Sequence, residues 1–363
     1  MPASVHAVQT LTDGQTREAR AAAQGLGGSA TTVADAVRRV VGLQSQDVRA
    51  CRLAVRARTT GLTAGDVEKA VGERAVVRTW AMRGTLHLLA ADDFGWVNGL
   101  LGPYFAARGA PRRRQLGLDD DLLDTARTAL EEIATEPLTR RELVDRLADH
   151  GVHLDPRSQQ PPHLLGYAAN TGQLCRGPDT GTDEPTYVLV ARWLGAQQHL
   201  EKDQALRMLA ERYLRGHGPA TAEDLAAWSG LPASWTQTAL DGLDVEFVEA
   251  AGRSAAMLDG PAPPMAPTRL LGHFDAYLLG YRGRDLAVPA GHRRTVQAGG
   301  GFVMPVVLRR GRAVGAWRLK SLKDSVVIEA DGFDGATLPD LRNEVTDIGR
   351  FLGRRAVLAK PGR

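Results

Sequence analysis

Three short stretches of the chain open in the same way. Leu62-Thr63-x-x-Asp66-Val67, Leu138-Thr139-x-x-Glu142-Leu143 and Ala220-Thr221-x-x-Asp224-Leu225 each place a hydroxyl side chain three residues before a carboxylate. At that spacing the hydroxyl accepts from a free amide of the first helical turn, and the carboxylate puts negative charge at the positive pole of the helix. A single capping box is common. Three of them, at roughly 80-residue intervals and each followed by a helix and a strand, predict tandem winged-helix modules.

The second repeat is the clearest. The helix opened by Thr139 turns at His150-Gly151, and a second helix is predicted around Pro162–Asn170. Gln173-Leu174-Cys175 and Thr186-Tyr187-Val188-Leu189-Val190 then form a ribbon around the polar tip Gly177–Pro185. The third repeat follows suit, with a helix carrying Ala226 and Trp228, another around Ser234–Leu240, and a strand at Val245–Val248. Ahead of the first box, Thr32 and Asp35 open a helix with Val33, Val37, Val40 and Val41 on one face. After the box, Asp92 and Asp93 open a helix with Phe94 and Trp96, and the basic segment Arg112-Arg113-Arg114 follows Pro111.

From about Met265 the pattern changes to strands and turns. Phe302–Leu308 and Ala313–Leu319 read as a hairpin tipped by Arg309, Arg310, Gly311 and Arg312. A closing helix, about Leu338 to Gly353, carries Leu341, Val345, Ile348 and Leu352 on one face. The expected fold class is therefore α+β, with about three winged-helix modules (1–135, 136–200 and 201–260) and a β-rich region over 261–363.

Composition narrows the chemistry. Two cysteines, Cys51 and Cys175, exclude a thiolate zinc site or a four-cysteine iron–sulfur cluster. The segment Met1–Gly27 lacks the apolar stretch of a signal peptide, and no run reaches membrane-spanning length, so a cytoplasmic protein is expected. There is no H-E-x-x-H, no phosphate-binding Gly loop with Lys and no G-x-S-x-G elbow. No metal or cofactor is expected. His150 and His153 read as a turn, and His87 as a core histidine. Asp275 and Tyr277 are either a functional pair or a buried structural hydrogen bond. Arginine gathers where loops and hairpin tips are predicted, at Arg112–Arg114, Arg282, Arg284, Arg293, Arg294, Arg309, Arg310 and Arg312. Contact with phosphates explains such clusters; so does the protection of hairpin edges by solvated charge.

One stretch departs from its own pattern. The stripe Val33, Val37, Val40, Val41 lands next on Gln44, a polar amide where a core residue is due. If the chain is extended after Gly42, Gln44 and Gln46 point the same way, because strand side chains alternate with period two. Two amides aimed at one spot hold a water or a ligand between them.

These residues resemble a known family. Gly42-Leu43-Gln44-Ser45-Gln46-Asp47, the run from Val77 to His87, Phe274-Asp275-Ala276-Tyr277-Leu278-Leu279-Gly280 and the hairpin from Pro305 to Arg318 look like the winged-helix DNA glycosylases of the AlkZ/YcaQ type, over roughly residues 30 to 350. The resemblance implies a C-shaped body embracing double-stranded DNA and excision of alkylated purines, bulky guanine adducts and interstrand crosslinks among them. It carries the catalytic Gln-x-Gln onto Gln44 and Gln46, and places the chain apart from members with Asp at the third position. The middle residue of the motif is usually small or aliphatic, so Ser45 departs toward polarity. The resemblance implies DNA contact for the hairpin arginines Arg309, Arg310 and Arg312; DNA contact is also expected of Arg83 and of the clustered Arg282, Arg284, Arg293 and Arg294, with the protein at the nucleoid when so bound. Without a lysine or amine nucleophile in the motif, the expected enzyme is monofunctional and leaves an abasic site. A monomer is expected. The alternative is a winged-helix transcription regulator without chemistry.

Overall fold

The computed structural model describes residues 9–258 and 268–359. The module boundary expected at 260/261 lies outside the described residues. After strand β1 (Gln9–Leu11) and helix α1 (Asp13–Ala23), the chain runs α2 (Val33–Arg39), β2 (Leu43–Gln44), α3 (Val48–Arg56), α4 (Ala64–Gly72), β3 (Val76–Trp80) and β4 (Leu86–Ala90). Helix α5 (Phe94–Gln115) leads to α6 (Asp120–Ile133), β5 (Leu138–Thr139), α7 (Arg140–Asp149), α8 (Gln160–Asn170), β6 (Leu174–Arg176), β7 (Thr186–Leu189) and the short α9 (Val190–Trp193). Then come α10 (Lys202–His217), α11 (Ala222–Ser229), α12 (Ala233–Asp241), β8 (Glu246–Ala250) and β9 (Arg253–Met257).

The order helix, short strand, two helices, two strands thus occurs three times, the first strand of the third repeat being reduced to a bridge between Ala220 and Ala256. All three predicted capping boxes form: Thr63, Thr139 and Thr221 accept from the backbone of Asp66, Glu142 and Asp224, whose carboxylates reach back. The first two sets of strands join edge to edge. Arg78 of β3 pairs with Arg176 of β6, giving one six-stranded sheet in the order β2-β4-β3-β6-β7-β5. The third hairpin instead takes β1 as a parallel neighbour, Gln9 opposite Val248. Neither pairing is visible in the periodicity of a single strand, because both depend on which edges remain free.

The remaining strands are β10 (Thr268–Leu271), β11 (Gln297–Gly299), β12 (Phe302–Val303), β13 (Val306–Arg309), β14 (Arg312–Ser321), β15 (Ser325–Gly332) and β16 (Arg355–Leu358), with helices α13 (Ala276–Leu279), α14 (Arg293–Val296) and α15 (Arg342–Leu352) between them. The order β10-β13-β14-β15-β16 makes a five-stranded sheet against which α15 lays Val345 and Ile348. The predicted Arg-tipped hairpin is β13–β14, with Arg309 opposite Arg312.

Helix α5 differs from expectation. Its 22 residues run on through Pro103 and Pro111, so Arg112–Arg114 end a helix rather than form a basic loop. Arg113 is buried with its guanidinium 4.3 Å above the Tyr167 ring, and Arg112 donates to Gln115 and Gln159. Arg113 thus has a packing role, while Arg112 and Arg114 are exposed.

Met82, Trp96, Leu101, Tyr213 and Trp228 belong to one apolar core shared by the first and third repeats. Burial of each such side chain contributes about 1.5–3 kcal/mol, so the cleft between these repeats has firm walls. Among the described residues no helix is long and apolar enough to cross a membrane.

Candidate active site

The Gln motif is placed by the end of α2. Val37 and Val40 are fully buried, α2 stops at Arg39, and Val41 takes a left-handed φ of 66°. Gly42 passes between Leu89 and Met82, and the chain emerges extended as β2 beside β4. Alternation then acts as expected. Ser45 is 3% exposed, its amide donates 2.8 Å to the Leu86 carbonyl, and its side chain faces a cavity of about 160 Å³ behind the motif. Gln44 and Gln46 face the other way, with Gln44 Nε2 donating 2.7 Å to Gln46 Oε1.

A third residue fixes the direction of this contact. Arg83 sits in the tight turn between β3 and β4 at φ 58°, a left-handed conformation strained for an arginine. Its Nη2 donates 2.8 Å to Gln44 Oε1 and its Nη1 donates 2.5 Å to the Trp228 carbonyl at the end of α11. A guanidinium only donates, so the Gln44 oxygen must face Arg83 and its NH2 is left to face Gln46. The result is a one-way chain, Arg83 to Gln44 to Gln46, ending in an exposed amide. Gly230, the left-handed cap of α11 at φ 80°, permits the approach: a Cβ there would stand 2.9 Å from the Arg83 Cα.

The two amides open into a cleft of about 700 Å³ between three parts of the chain. The first repeat supplies Gln44, Gln46, Asp47, Arg83 and Thr85, and the third supplies Ala227. The C-terminal region supplies His273, Phe274, Leu279, Tyr281, Arg282, Arg284 and the Gly300–Phe302 turn of the β11–β12 hairpin. Phe274 is again left-handed, at φ 57°, and its ring lies 5.4 Å from that of Phe302, which is 55% exposed over the cleft.

The cleft is electropositive. Among the described residues Arg83, Arg282 and Arg284 have no carboxylate partner. Burial, and then the neighbouring Arg284, lowers Arg83 to about 10, and burial lowers Arg284 as well; at about 10, Arg83 remains a cation at neutral pH. The Arg282 backbone is anchored by an N–H to the Asp224 carboxylate. Asp47 caps α3 by accepting from the amides of Arg49 and Ala50. His87, opposite Gln44 in β4, is buried; desolvation and then Arg83 push it down to about 3, and its Nδ1–H donates to the Thr85 carbonyl.

The other expected site residues fall elsewhere. Arg309, Arg310 and Arg312 do not line this cleft: their tip folds back on α1, with Arg310 2.5 Å from Glu18 and the Tyr277 hydroxyl donating 2.7 Å to the Gly311 carbonyl. Arg293 pairs with Asp285 at 2.6 Å, and Arg294 is exposed outside the cleft lining. Asp275 is fully buried and paired with Arg58 at 2.9 Å, a structural contact. His150 meets Glu132 at 3.3 Å. Sequence reasoning did not single out Phe302 or His273. The only available signal for Phe302 was an aromatic residue directly after Gly299-Gly300-Gly301.

A family model described as "DNA glycosylase AlkZ-like" matches residues 37–351. An "Interstrand DNA cross-link repair glycosylase" from Streptomyces sahachiroi is 33% identical over 314 residues, 79% of this chain and 82% of that protein. The solved structure "Streptomyces sahachiroi DNA glycosylase AlkZ" superimposes with a TM-score of 0.80 at 27% identity, covering 97% of this chain and all of that one.

Proposed function

Because the chain belongs to the AlkZ-like DNA glycosylase family, we propose that it hydrolyses the N-glycosidic bond of alkylated purines in double-stranded DNA, with Gln44 and Gln46 orienting the attacking water. As a DNA glycosylase it is an enzyme, which sets aside the regulator without chemistry. The observation that carries the reading is the pair of hydrogen-bonded amides facing a cleft of unpaired arginines.

Alkylation on a ring nitrogen makes a purine cationic and a good leaving group, so no strong acid is needed. As the C1′–N bond breaks, its electron pair neutralises the base and the sugar becomes oxocarbenium-like. Water attacks C1′ and sheds its proton to solvent. Held amide oxygens favour positive charge developing at the sugar, and because Arg83 fixes Gln44 the dipoles need not reorganise. Gln46 offers its free NH2 and a lone pair on Oε1 to the water. Arg282 and Arg284 take flanking phosphates. Among the described residues no lysine lines the cleft, in keeping with a monofunctional enzyme that leaves an intact abasic site.

We read residues 1–135, 136–200 and 201–260 as modules that act with region 261–363 on DNA as a monomer. A cleft between modules accepts a base without burying it in a narrow pocket. This suits bulky guanine adducts and the interstrand crosslinks named for the relative. The test is release of 7-methylguanine from methylated duplex, with strand breakage only after added alkali. Release with an intact strand is expected; no base release from this or a bulkier adduct would overturn the reading.

A further inference from the structure

A second cleft, of about 680 Å³, adjoins the first and has the opposite character. The two share Asp47 and His273 at their boundary. Its walls are apolar: Leu53 from α3, Met304 and Pro305 ahead of β13, Trp317 and Leu319 from β14, and Leu352 from α15. Four arginines stand on its rim, and each is already engaged. Arg49 and Arg52 hold Asp183, Arg318 holds Glu329, and Arg354 donates to the carbonyls of Leu322, Lys323 and Ser325. The Trp317 indole N–H is likewise spent, on the Leu271 carbonyl at 2.8 Å.

This pattern selects against a phosphate. Three of the four rim arginines are neutralised by carboxylates, which leaves Arg354 as the one rim cation without a carboxylate partner among the described residues, against three in the adjoining catalytic cleft. A volume of this size, apolar within and opening beside the reacting centre, suits a neutral planar group of drug-like dimensions. His273, at the boundary, keeps its Nδ1 buried and without a hydrogen-bond partner among the described residues.

We propose that the cleft floored by Leu53, Met304, Trp317 and Leu319 receives the neutral aromatic appendage of a bulky purine adduct while the adducted nucleotide sits against Gln44 and Gln46. The proposal rests on the glycosylase reading given above and adds the subsite that discriminates bulky from small lesions. A methylated base carries no appendage to reach this cleft.

The test compares two duplexes of one sequence, one bearing 7-methylguanine and one an N7-guanine adduct with a neutral, fused-ring aromatic tail. Leu319→Trp and Leu53→Trp fill the cleft at separate elements, and thermal melting verifies that each variant folds. At least one folded filler is expected to lower kcat/KM for the bulky adduct by about 10-fold or more, the scale of a few apolar contacts, with excision of 7-methylguanine within about two-fold of wild type. Equal losses on both substrates, or none on either in both fillers, would overturn the subsite. Failure of the wild-type protein on both substrates would remove the glycosylase reading itself, a distinct result.

Discussion

Arg83 Nη2 lies 2.8 Å from Gln44 Oε1, and the same guanidinium reaches 2.5 Å to the Trp228 carbonyl. Through this one side chain the first repeat borrows an anchor from the third to orient an amide that lines the cleft. Arg83→Met is expected to slow excision by about 10- to 100-fold, the cost of losing a positioned dipole. The salt dependence of DNA binding should stay that of wild type. A salt slope lowered by about one would instead mark Arg83 as a phosphate contact.

The arginines of the cleft and of the β13–β14 tip should behave differently. Arg282→Ala and Arg284→Ala each remove an unpaired cation from the cleft, and should weaken binding to all duplexes while lowering the salt slope by about one. Arg310→Ala releases the contact with Glu18, of which Arg310 is the largely exposed member, so the loss in stability is at most about 1 kcal/mol. Its salt slope should remain near the wild-type value. Salt titrations of the three variants separate the two sets.

Asp275 and Arg58 are both fully buried and bonded through two oxygens. Removing one partner leaves an uncompensated charge, so Asp275→Ala should destabilise the fold by about 3–5 kcal/mol in urea titrations. Protein that remains folded should excise at the wild-type rate. A large rate loss with intact stability would return Asp275 to the chemistry.

Two buried histidines link stability to pH. Desolvation pushes His87 and His217 down to about 3, well below the ordinary value near 6.5. The unfolded chain therefore binds protons that the folded one refuses. Stability from this source is complete above about pH 6.5 and falls as pH drops toward 3, by up to about 1.4 kcal/mol per pH unit for each histidine. Denaturation midpoints should drop steadily from pH 7 to pH 5; a flat profile would show that both rings ionise in the folded state, and a halved slope that one does.

The three capped repeats and the shared direction of the two amides were readable because their signals are local. A hydroxyl three residues before a carboxylate caps a helix wherever it occurs, and period two alone turns Gln44 and Gln46 together with Ser45 on the far side. The Ser45 hydroxyl, polar where a small or aliphatic residue is usual, faces the rear cavity and not the cleft that Gln44 and Gln46 line. What escaped was relational. Arg83 orients Gln44 only because α11 ends at Gly230 and offers the Trp228 carbonyl, 145 residues away in sequence. The hairpin lining the cleft is the glycine-rich β11–β12, while the arginine-tipped one turns toward Glu18, a choice made by packing. Helix α5 runs through two prolines because α8 and α10 pack along it, and packing of that kind overrides local propensity.

The proposed chemistry rests on the two amides of Gln44 and Gln46. Single-turnover release of 7-methylguanine should be measured for wild type, Gln44→Ala and Gln46→Ala, each verified as folded and as binding lesion DNA within a few-fold of wild type. A loss of about 100-fold or more in each variant, with binding retained, is the expected result. Wild-type rates in both variants would contradict the assignment of the chemistry to Gln44 and Gln46.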